Sequence, residues 1–116
     1  MREARDRPDE HPRMQDLQSF HERLDHEKGF DVDMLRNAAY LAEEVGEVVQ
    51  AIRALNRAGD TPLLDAARCQ LGEELADCLA YILKLSNYGD IDLEEAYLRK
   101  MELNQGRSWN VLKDDA

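Results

Sequence analysis

The stretch LAEEVGEVVQAI, residues 41–52, places three glutamates within five positions of an otherwise apolar run. Thirty residues later, LGEELADCLAYI, residues 71–82, repeats this pattern almost position for position. Both stretches carry apolar residues at the three- and four-residue spacing of an amphipathic helix, which buries one face. The sequence therefore predicts two long helices that carry the same acids beside an apolar stripe.

Capping and turn signals extend this pattern to an all-α chain of four helices without a strand. The predicted helices cover approximately residues 13–28, 33–58, 61–87 and 92–106. Gly29 is a typical helix-ending residue, and Asp31 or Asp33 can cap the second helix. Thr61 is the predicted N-cap of the third helix, with Pro62 at its first position, and Asp92 begins the fourth. The short GDT connection makes an antiparallel hairpin of the two long helices the simplest arrangement.

Size, charge and hydropathy restrict the classes of function. A chain of 116 residues with a net charge of −10 forms one domain, and it lacks the basic surface that a nucleic-acid polymer requires. It contains no run of ~20 apolar residues and its N-terminus has no apolar signal core, so we expect a cytoplasmic protein without membrane contact. Residues 1–12 show no periodicity and are predicted to be a flexible tail before a domain of residues 13–116. Cys69 and Cys78, nine residues apart on one helix, are predicted to be reduced.

A helical wheel places the acids relative to the apolar stripes. The predicted buried stripes are Leu41, Val45, Val48, Ile52 and Leu55 on the second helix and Leu71, Leu75, Cys78, Ile82 and Leu85 on the third. On each helix two acids three residues apart flank the stripe, and a third points away from it. The flanking pairs are Glu44 with Glu47 and Glu74 with Asp77, and the outward residues are Glu43 and Glu73.

An antiparallel hairpin would bring the two flanking pairs face to face. Four carboxylates at that distance repel one another unless they change their pKa or acquire a cation. An all-oxygen set of carboxylates suits Mg²⁺, with Mn²⁺ as a possible substitute. The alternative is an acidic helical interaction module without enzymatic activity, in which the glutamates only form a solvated face.

The segments EEVGE, residues 43–47, and ELAD, residues 74–77, resemble the E-E-x-x-E and E-x-x-D motifs of the MazG-like all-α nucleoside triphosphate pyrophosphohydrolases. The resemblance implies a MazG-like four-helix bundle completed by homodimerisation or as a homotetramer. It implies that Glu44, Glu47, Glu74 and Asp77 hold Mg²⁺. It also implies hydrolysis of a nucleoside triphosphate between the α and β phosphates, giving the monophosphate and pyrophosphate, for example to clean the nucleotide pool. Glu43 matches a further acid that can orient the water, so Glu43, Glu44 and Glu47 are the predicted catalytic residues.

The resemblance also assigns the substrate-binding residues. In the resembled family a Lys and an Asn on the fourth helix contact phosphates; Lys100 and Asn104 match them, and Arg107 shares their helical face. The segment HERLDHEKGF, residues 21–30, is similar to one that lines the nucleoside pocket, which implies roles for His21 and for Phe30 in place of a Trp. Tyr81, one turn after Asp77, is a further pocket candidate.

A related family leaves a second substrate open. The phosphoribosyl-ATP pyrophosphohydrolases of histidine biosynthesis resemble the chain in fold and in acidic motif, and they cleave the same type of bond.

Overall fold

The computed structural model of the protein describes residues 10–106, and this range contains four α-helices and no strand. The helices are α1 (Met14–Lys28), α2 (Met34–Ala58), α3 (Leu64–Tyr88) and α4 (Leu93–Gln105). The predicted all-α class and the four predicted helices are therefore confirmed for this part of the chain. Most of the predicted N-terminal tail lies outside the described residues. Within residues 10–106, no helix has the length and apolar character that crossing a membrane requires.

Local capping chemistry fixes three of the helix ends where the sequence predicts them. Gly29 ends α1 with φ 62° and ψ 36°, a left-handed conformation that glycine adopts without strain. The Asp33 side chain caps α2 by accepting the Arg36 backbone N–H at 2.8 Å. Asp92 caps α4 in the same way, by accepting the Glu95 backbone N–H at 3.2 Å. Each cap satisfies a backbone donor at a helix start or a carbonyl at a helix end.

The predicted start of α3 is wrong by two residues. Thr61 is not its N-cap; that position is occupied by Leu63, and the helix begins at Leu64. The Thr61 hydroxyl donates to the Ala58 carbonyl at 2.6 Å and accepts the Leu63 N–H at 3.3 Å. The Thr61 carbonyl accepts the Leu64 N–H at 3.1 Å. The threonine therefore closes the end of α2 and forms a tight turn before α3 can start.

Helices α2 and α3 form an antiparallel pair, which makes the most extensive contact between helices in the described range. Near the start of α2 the Tyr40 ring lies 6.0 Å, between centroids, from the Tyr81 ring near the end of α3. Farther along α2, Glu44 meets Glu74 and Asp77, which come earlier in α3. Residues later in α2 therefore contact residues earlier in α3, as in an antiparallel pair. Helix α1 packs on α3, and α4 packs on α1.

The predicted apolar stripes are only partly buried in the single chain. Val45 is 50%, Ile52 41%, Leu75 52% and Ile82 39% exposed, so the prediction that they are core residues is wrong for one copy of the chain. The fully buried apolar residues among those described are Ala51, Ala58 and Leu83. The stripe is wider than one neighbouring helix can cover, because a single antiparallel partner shields only part of a ~100° face.

A buried glutamine connects α1 to the start of α4. The Gln18 side-chain amide donates to Asn87 Oδ1 at 3.1 Å and to the Ile91 carbonyl at 2.8 Å. Its oxygen accepts the Leu93 N–H at 2.9 Å. Gln18 is only 8% exposed, so it takes the place of water for three polar groups at this junction.

We expect Gln18→Ala to destabilise the fold by about 2 kcal/mol, because it leaves part-buried donors and acceptors without their protein partner. Urea unfolding followed by circular dichroism measures the change. Gln15→Ala is the matched control, since Gln15 makes an exposed hydrogen bond to Asp92 on the same helix pair. The Gln15→Ala control should lower the free energy of unfolding by about 0.5 kcal/mol or less. Equal stability of the two variants would show that the buried network does not support the junction.

Candidate active site

Three acidic side chains from the α2–α3 hairpin converge at one point. Glu44 on α2 and Glu74 and Asp77 on α3 each place one carboxylate oxygen within 4.8 Å of the other two. We call these three residues the acidic cluster. The i, i+3 spacing of Glu74 and Asp77 puts both on one side of α3, and the antiparallel pairing brings Glu44 to the same level. The structure thus brings together three of the four residues predicted to hold a metal ion.

The other acids of the two motifs lie around the acidic cluster. Glu47, one turn after Glu44, is exposed and is not among the three clustered carboxylates, although its charge contributes to the field at Glu44. Glu43 and Glu73 are both exposed, as the helical wheel predicts. The structure therefore separates three acids whose carboxylates meet from three others that do not join them; Asp77 of the cluster is exposed as well.

The acidic cluster is electrostatically unfavourable without a cation. The pKa of Glu44 is raised, first by burial of its carboxyl group and then by the negative charges of Asp77 and Glu74. The Gln70 side-chain amide donates to Glu74 at 2.5 Å, but it carries no charge. Among residues 10–106, no Lys or Arg forms an ion pair with any of the three carboxylates. Three hard oxygen donors without a protein counter-ion fit a divalent cation such as Mg²⁺.

The cysteine nearest to the acidic cluster is not a suitable ligand. Burial raises the pKa of the Cys78 thiol, and the charges of Glu44, Asp77 and Glu74 raise it further. The thiol therefore stays protonated at neutral pH, whereas a metal ligand must be a thiolate. Cys69 and Cys78 are both free, which agrees with the predicted reduced state.

Two aromatic rings and a lysine lie together one to two turns along α3 from the acidic cluster. Lys84 Nζ lies 5.1 Å from the centroid of the Phe30 ring and 5.3 Å from that of Tyr81. The same ammonium pairs with Asp25 Oδ1 at 3.2 Å. Burial lowers the pKa of His21, and the nearby charge of Lys84 lowers it further against the opposing effect of Asp25. His21, Phe30 and Tyr81, the three residues predicted to bind the nucleoside, thus lie around one lysine.

Sequence reasoning missed Lys84 and its partner Asp25. The available signal was the single lysine in the apolar second half of α3, seven residues after Asp77 and therefore on the same helical face. Asp25 carried no comparable signal, because it lies in a helix rich in charged residues. Their pairing depends on how α1 packs on α3.

The predicted phosphate-binding residues on α4 are not brought to the acidic cluster by the described contacts. Lys100 is exposed and Asn104 is half-buried on a helix that packs mainly on α1. Arg107 lies outside the described residues. The assignment of these three residues stays a prediction.

A cavity at the α1 side of the molecule is not part of the candidate site. It measures about 840 Å³ and is bordered by one face of α1 and by the connection between α3 and α4, for example by Glu22, His26 and Asp90. None of its lining residues belongs to the acidic cluster. The chemistry of the acids, rather than the cavity volume, therefore identifies the candidate site.

We expect Glu44→Gln to stabilise the metal-free protein at neutral pH, by an increase in Tm of a few degrees. A carboxyl group whose pKa is raised by folding stabilises the fold below its unfolded pKa, and this contribution is lost as the pH rises through the folded pKa. The gain from the substitution should therefore shrink as the pH is lowered toward 4. Thermal unfolding in a chelating buffer at several pH values measures the difference in Tm between Glu44→Gln and the wild type.

Glu73→Gln is the control for that experiment, since it removes the same charge from the exposed side of α3. It should change the Tm little at any pH. A Glu44→Gln variant that is less stable than the wild type at pH 7 without metal would contradict repulsion within the acidic cluster.

Comparison with known families agrees with the geometry. The model of the MazG nucleotide pyrophosphohydrolase domain matches residues 32–112, well over half of the chain. The match includes all three residues of the acidic cluster and begins after α1, so it leaves out His21 and Phe30. No curated protein matches the chain. From the family match and the acidic cluster together, we conclude that the chain belongs to the MazG nucleotide pyrophosphohydrolase domain family.

Proposed function

We propose that the protein is a Mg²⁺-dependent nucleoside triphosphate pyrophosphohydrolase. It would cleave ribo- or deoxyribonucleoside triphosphates between the α and β phosphates, release the monophosphate and pyrophosphate, and remove unwanted nucleotides from the pool. The observation that carries the proposal is the convergence of Glu44, Glu74 and Asp77 within 4.8 Å, with no ion-paired Lys or Arg among the described residues. A substrate that arrives with divalent cations is the chemistry that such a group of acids fits.

Glu44, Glu74 and Asp77 would hold the metal ion, with Mn²⁺ able to replace Mg²⁺. A divalent ion bound there would neutralise the charge that builds up on the phosphates during cleavage. Glu47 supplies a further carboxylate beside the acidic cluster, as a fourth ligand or as the base that takes the proton of the attacking water. Glu43, which is exposed, would orient that water.

The protein has to bind the two ends of the nucleotide differently. The aromatic rings of Phe30 and Tyr81 offer stacking surfaces for the base, and the acidic cluster lies on the same face of α3 for the metal-bound phosphates. Lys100, Asn104 and Arg107 are the proposed ligands of the leaving pyrophosphate. They would add positive charge where the bond to the leaving group breaks.

We expect Asp77→Asn to lower kcat/KM for pyrophosphate release by about 100-fold or more, because it removes a charged ligand from the metal site. The helical content should not change. Pyrophosphate release from individual deoxynucleoside triphosphates and from phosphoribosyl-ATP, with Mg²⁺, Mn²⁺ or a chelator, measures the activity and separates the two substrate classes.

Glu73→Gln serves as the control and should retain nearly full activity. Turnover of the wild type in the presence of the chelator, or of Asp77→Asn at the wild-type rate, would contradict the proposed metal site. Absence of hydrolysis of every substrate with either metal ion would favour the non-enzymatic interaction module.

The chain is proposed to form a homodimer or homotetramer through an apolar face on α2 and α3. Its residues are exposed in the single chain and repeat with the same thirty-residue shift as the acids: Val45, Val49 and Ile52 on α2, and Leu75, Leu79 and Ile82 on α3. Each set has the i, i+4, i+7 spacing of one helix face. A second copy is a suitable cover, since a self-complementary face of this kind forms a two-fold interface.

We expect size-exclusion chromatography with light scattering to give a mass of two or four chains for the wild type. Val49→Asp combined with Leu79→Asp should give a monomer, because it buries two charges in the interface. Leu63→Asp is the control, since Leu63 is 67% exposed in the turn before α3 and lies outside the two helices that carry this face. A wild type that is monomeric at micromolar concentration would contradict the proposed assembly.

A further inference from the structure

Lys84 lies about two turns of α3 beyond the acidic cluster, on the same face of the helix. Asp77, Tyr81 and Lys84 follow one another at i, i+4, i+7 and therefore lie on one face of α3. Seven residues correspond to about 10 Å along the helix axis, which is of the order of the length of a nucleoside monophosphate. A nucleotide whose α-phosphate lies at the acidic cluster can therefore reach Lys84 with the far edge of its base.

The surroundings of Lys84 leave hydrogen-bonding capacity for a ligand. Its side chain is 13% exposed, and Asp25, its partner at 3.2 Å, is 7% exposed. An ammonium group has three N–H donors, and Asp25 is its only ion-pair partner in residues 10–106. The rings of Phe30 and Tyr81 contact the ammonium through their faces and do not accept conventional hydrogen bonds.

Asp25 is held in place from its other side. The Tyr88 hydroxyl donates to Asp25 Oδ2 at 2.5 Å, and the pKa of Tyr88 is raised by burial and by this hydrogen bond, so the phenol remains a donor. The ammonium is thus fixed by an anchored carboxylate between two aromatic rings. A buried ion pair of this kind adds little stability compared with apolar side chains of similar volume, so stability does not account for a lysine at this position.

Building on the proposed pyrophosphohydrolase function, we propose that Lys84 determines base specificity by donating a hydrogen bond to a keto oxygen of the base. Uracil and thymine present O4 at this edge, and guanine presents O6 and N7, all of which are acceptors. Cytosine and adenine present an amino group in place of that keto oxygen, and an amino group is a donor that cannot pair with an ammonium. Adenine and guanine share the N7 acceptor, so the discrimination between the purines rests on O6. The protein therefore prefers nucleotides with keto bases, which stack on Phe30 and Tyr81.

The test compares kcat/KM for dUTP, dTTP, dGTP, dCTP and dATP in the wild type and two variants. The wild type should favour the keto substrates by about tenfold or more, because the amino bases leave a buried donor unpaired. Lys84→Met should reduce this preference about tenfold through a higher KM for the keto substrates alone. Lys84→Arg, which keeps the charge and the donors, should retain the preference for keto bases.

A double variant tests whether Lys84→Met acts only by destabilising the fold. Lys84→Met leaves Asp25 without its cation, so the double variant Asp25→Asn with Lys84→Met removes both charges and should restore a wild-type unfolding curve. The same loss of base preference is expected in that folded double variant. A preference that is unchanged in both variants would overturn the role of Lys84, and it would show that the lysine only joins α1 to α3.

Other outcomes are equally decisive. A KM that rises by the same factor for all five substrates would mean that Lys84 binds phosphate, and a wild type that prefers dCTP or dATP would contradict keto recognition. Calorimetric binding of dUMP and dCMP without metal separates this proposal from the hydrolase function. If the protein hydrolyses no substrate but binds dUMP more tightly than dCMP in a manner that depends on Lys84, the Lys84 proposal stands and the hydrolase is rejected. If it neither hydrolyses any substrate nor prefers dUMP, both proposals are rejected.

Discussion

The contact between α2 and α3 forces like charges together. Packing along the hairpin places Glu44 opposite Glu74 and Asp77. Burial of the Glu44 carboxyl group raises its pKa, and the charges of Asp77 and Glu74 raise it further. The hydrogen bonds at Thr61 close the end of α2 before the turn into α3. Those of Gln18 join α1 to the segment between α3 and α4.

The electrostatic character of α3 changes sign along a single face. Glu74 and Asp77 make its first half acidic, Tyr81 provides an aromatic surface, and the second half carries the Lys84 ammonium paired with Asp25. A nucleotide with bound cations has the complementary order, with positive metal ions at its phosphates and hydrogen-bond acceptors on a keto base. In the proposed function one face of α3 would recognise both ends of the ligand. Helix α1 contributes Asp25, which pairs with Lys84.

The sequence predicted the parts of this arrangement that depend on local chemistry. The ends of α1, α2 and α4 follow from a glycine or aspartate within a few residues of the helix. The acidic cluster was accessible because the same acids occur at the same helical phase in two helices that a short turn joins. The start of α3 was misplaced because the Thr61 hydroxyl bonds both backward to the Ala58 carbonyl and forward to the Leu63 N–H, and only the path of the turn decides that the helix begins at Leu64.

Burial and long-range pairing could not be predicted in the same way. A periodic stripe indicates which face of a helix is apolar but not how many neighbours cover it, so Val45 and Leu75 were wrongly placed in the core of one chain. The Lys84–Asp25 pair joins residues far apart in sequence, and nothing near either residue specifies the partner. Both cases depend on the tertiary arrangement, which local periodicity does not encode.

The proposed assembly and the proposed metal site are physically linked. Val45 follows Glu44 directly and Leu75 follows Glu74, so the exposed apolar face begins beside the acidic cluster on both helices. A second copy that covered this face would remove water from the edge of the cluster and lower the local dielectric constant. Repulsion between the carboxylates would then increase, and so would their attraction for a divalent cation. Assembly would therefore strengthen cation binding, and by linkage the bound cation would stabilise the assembly.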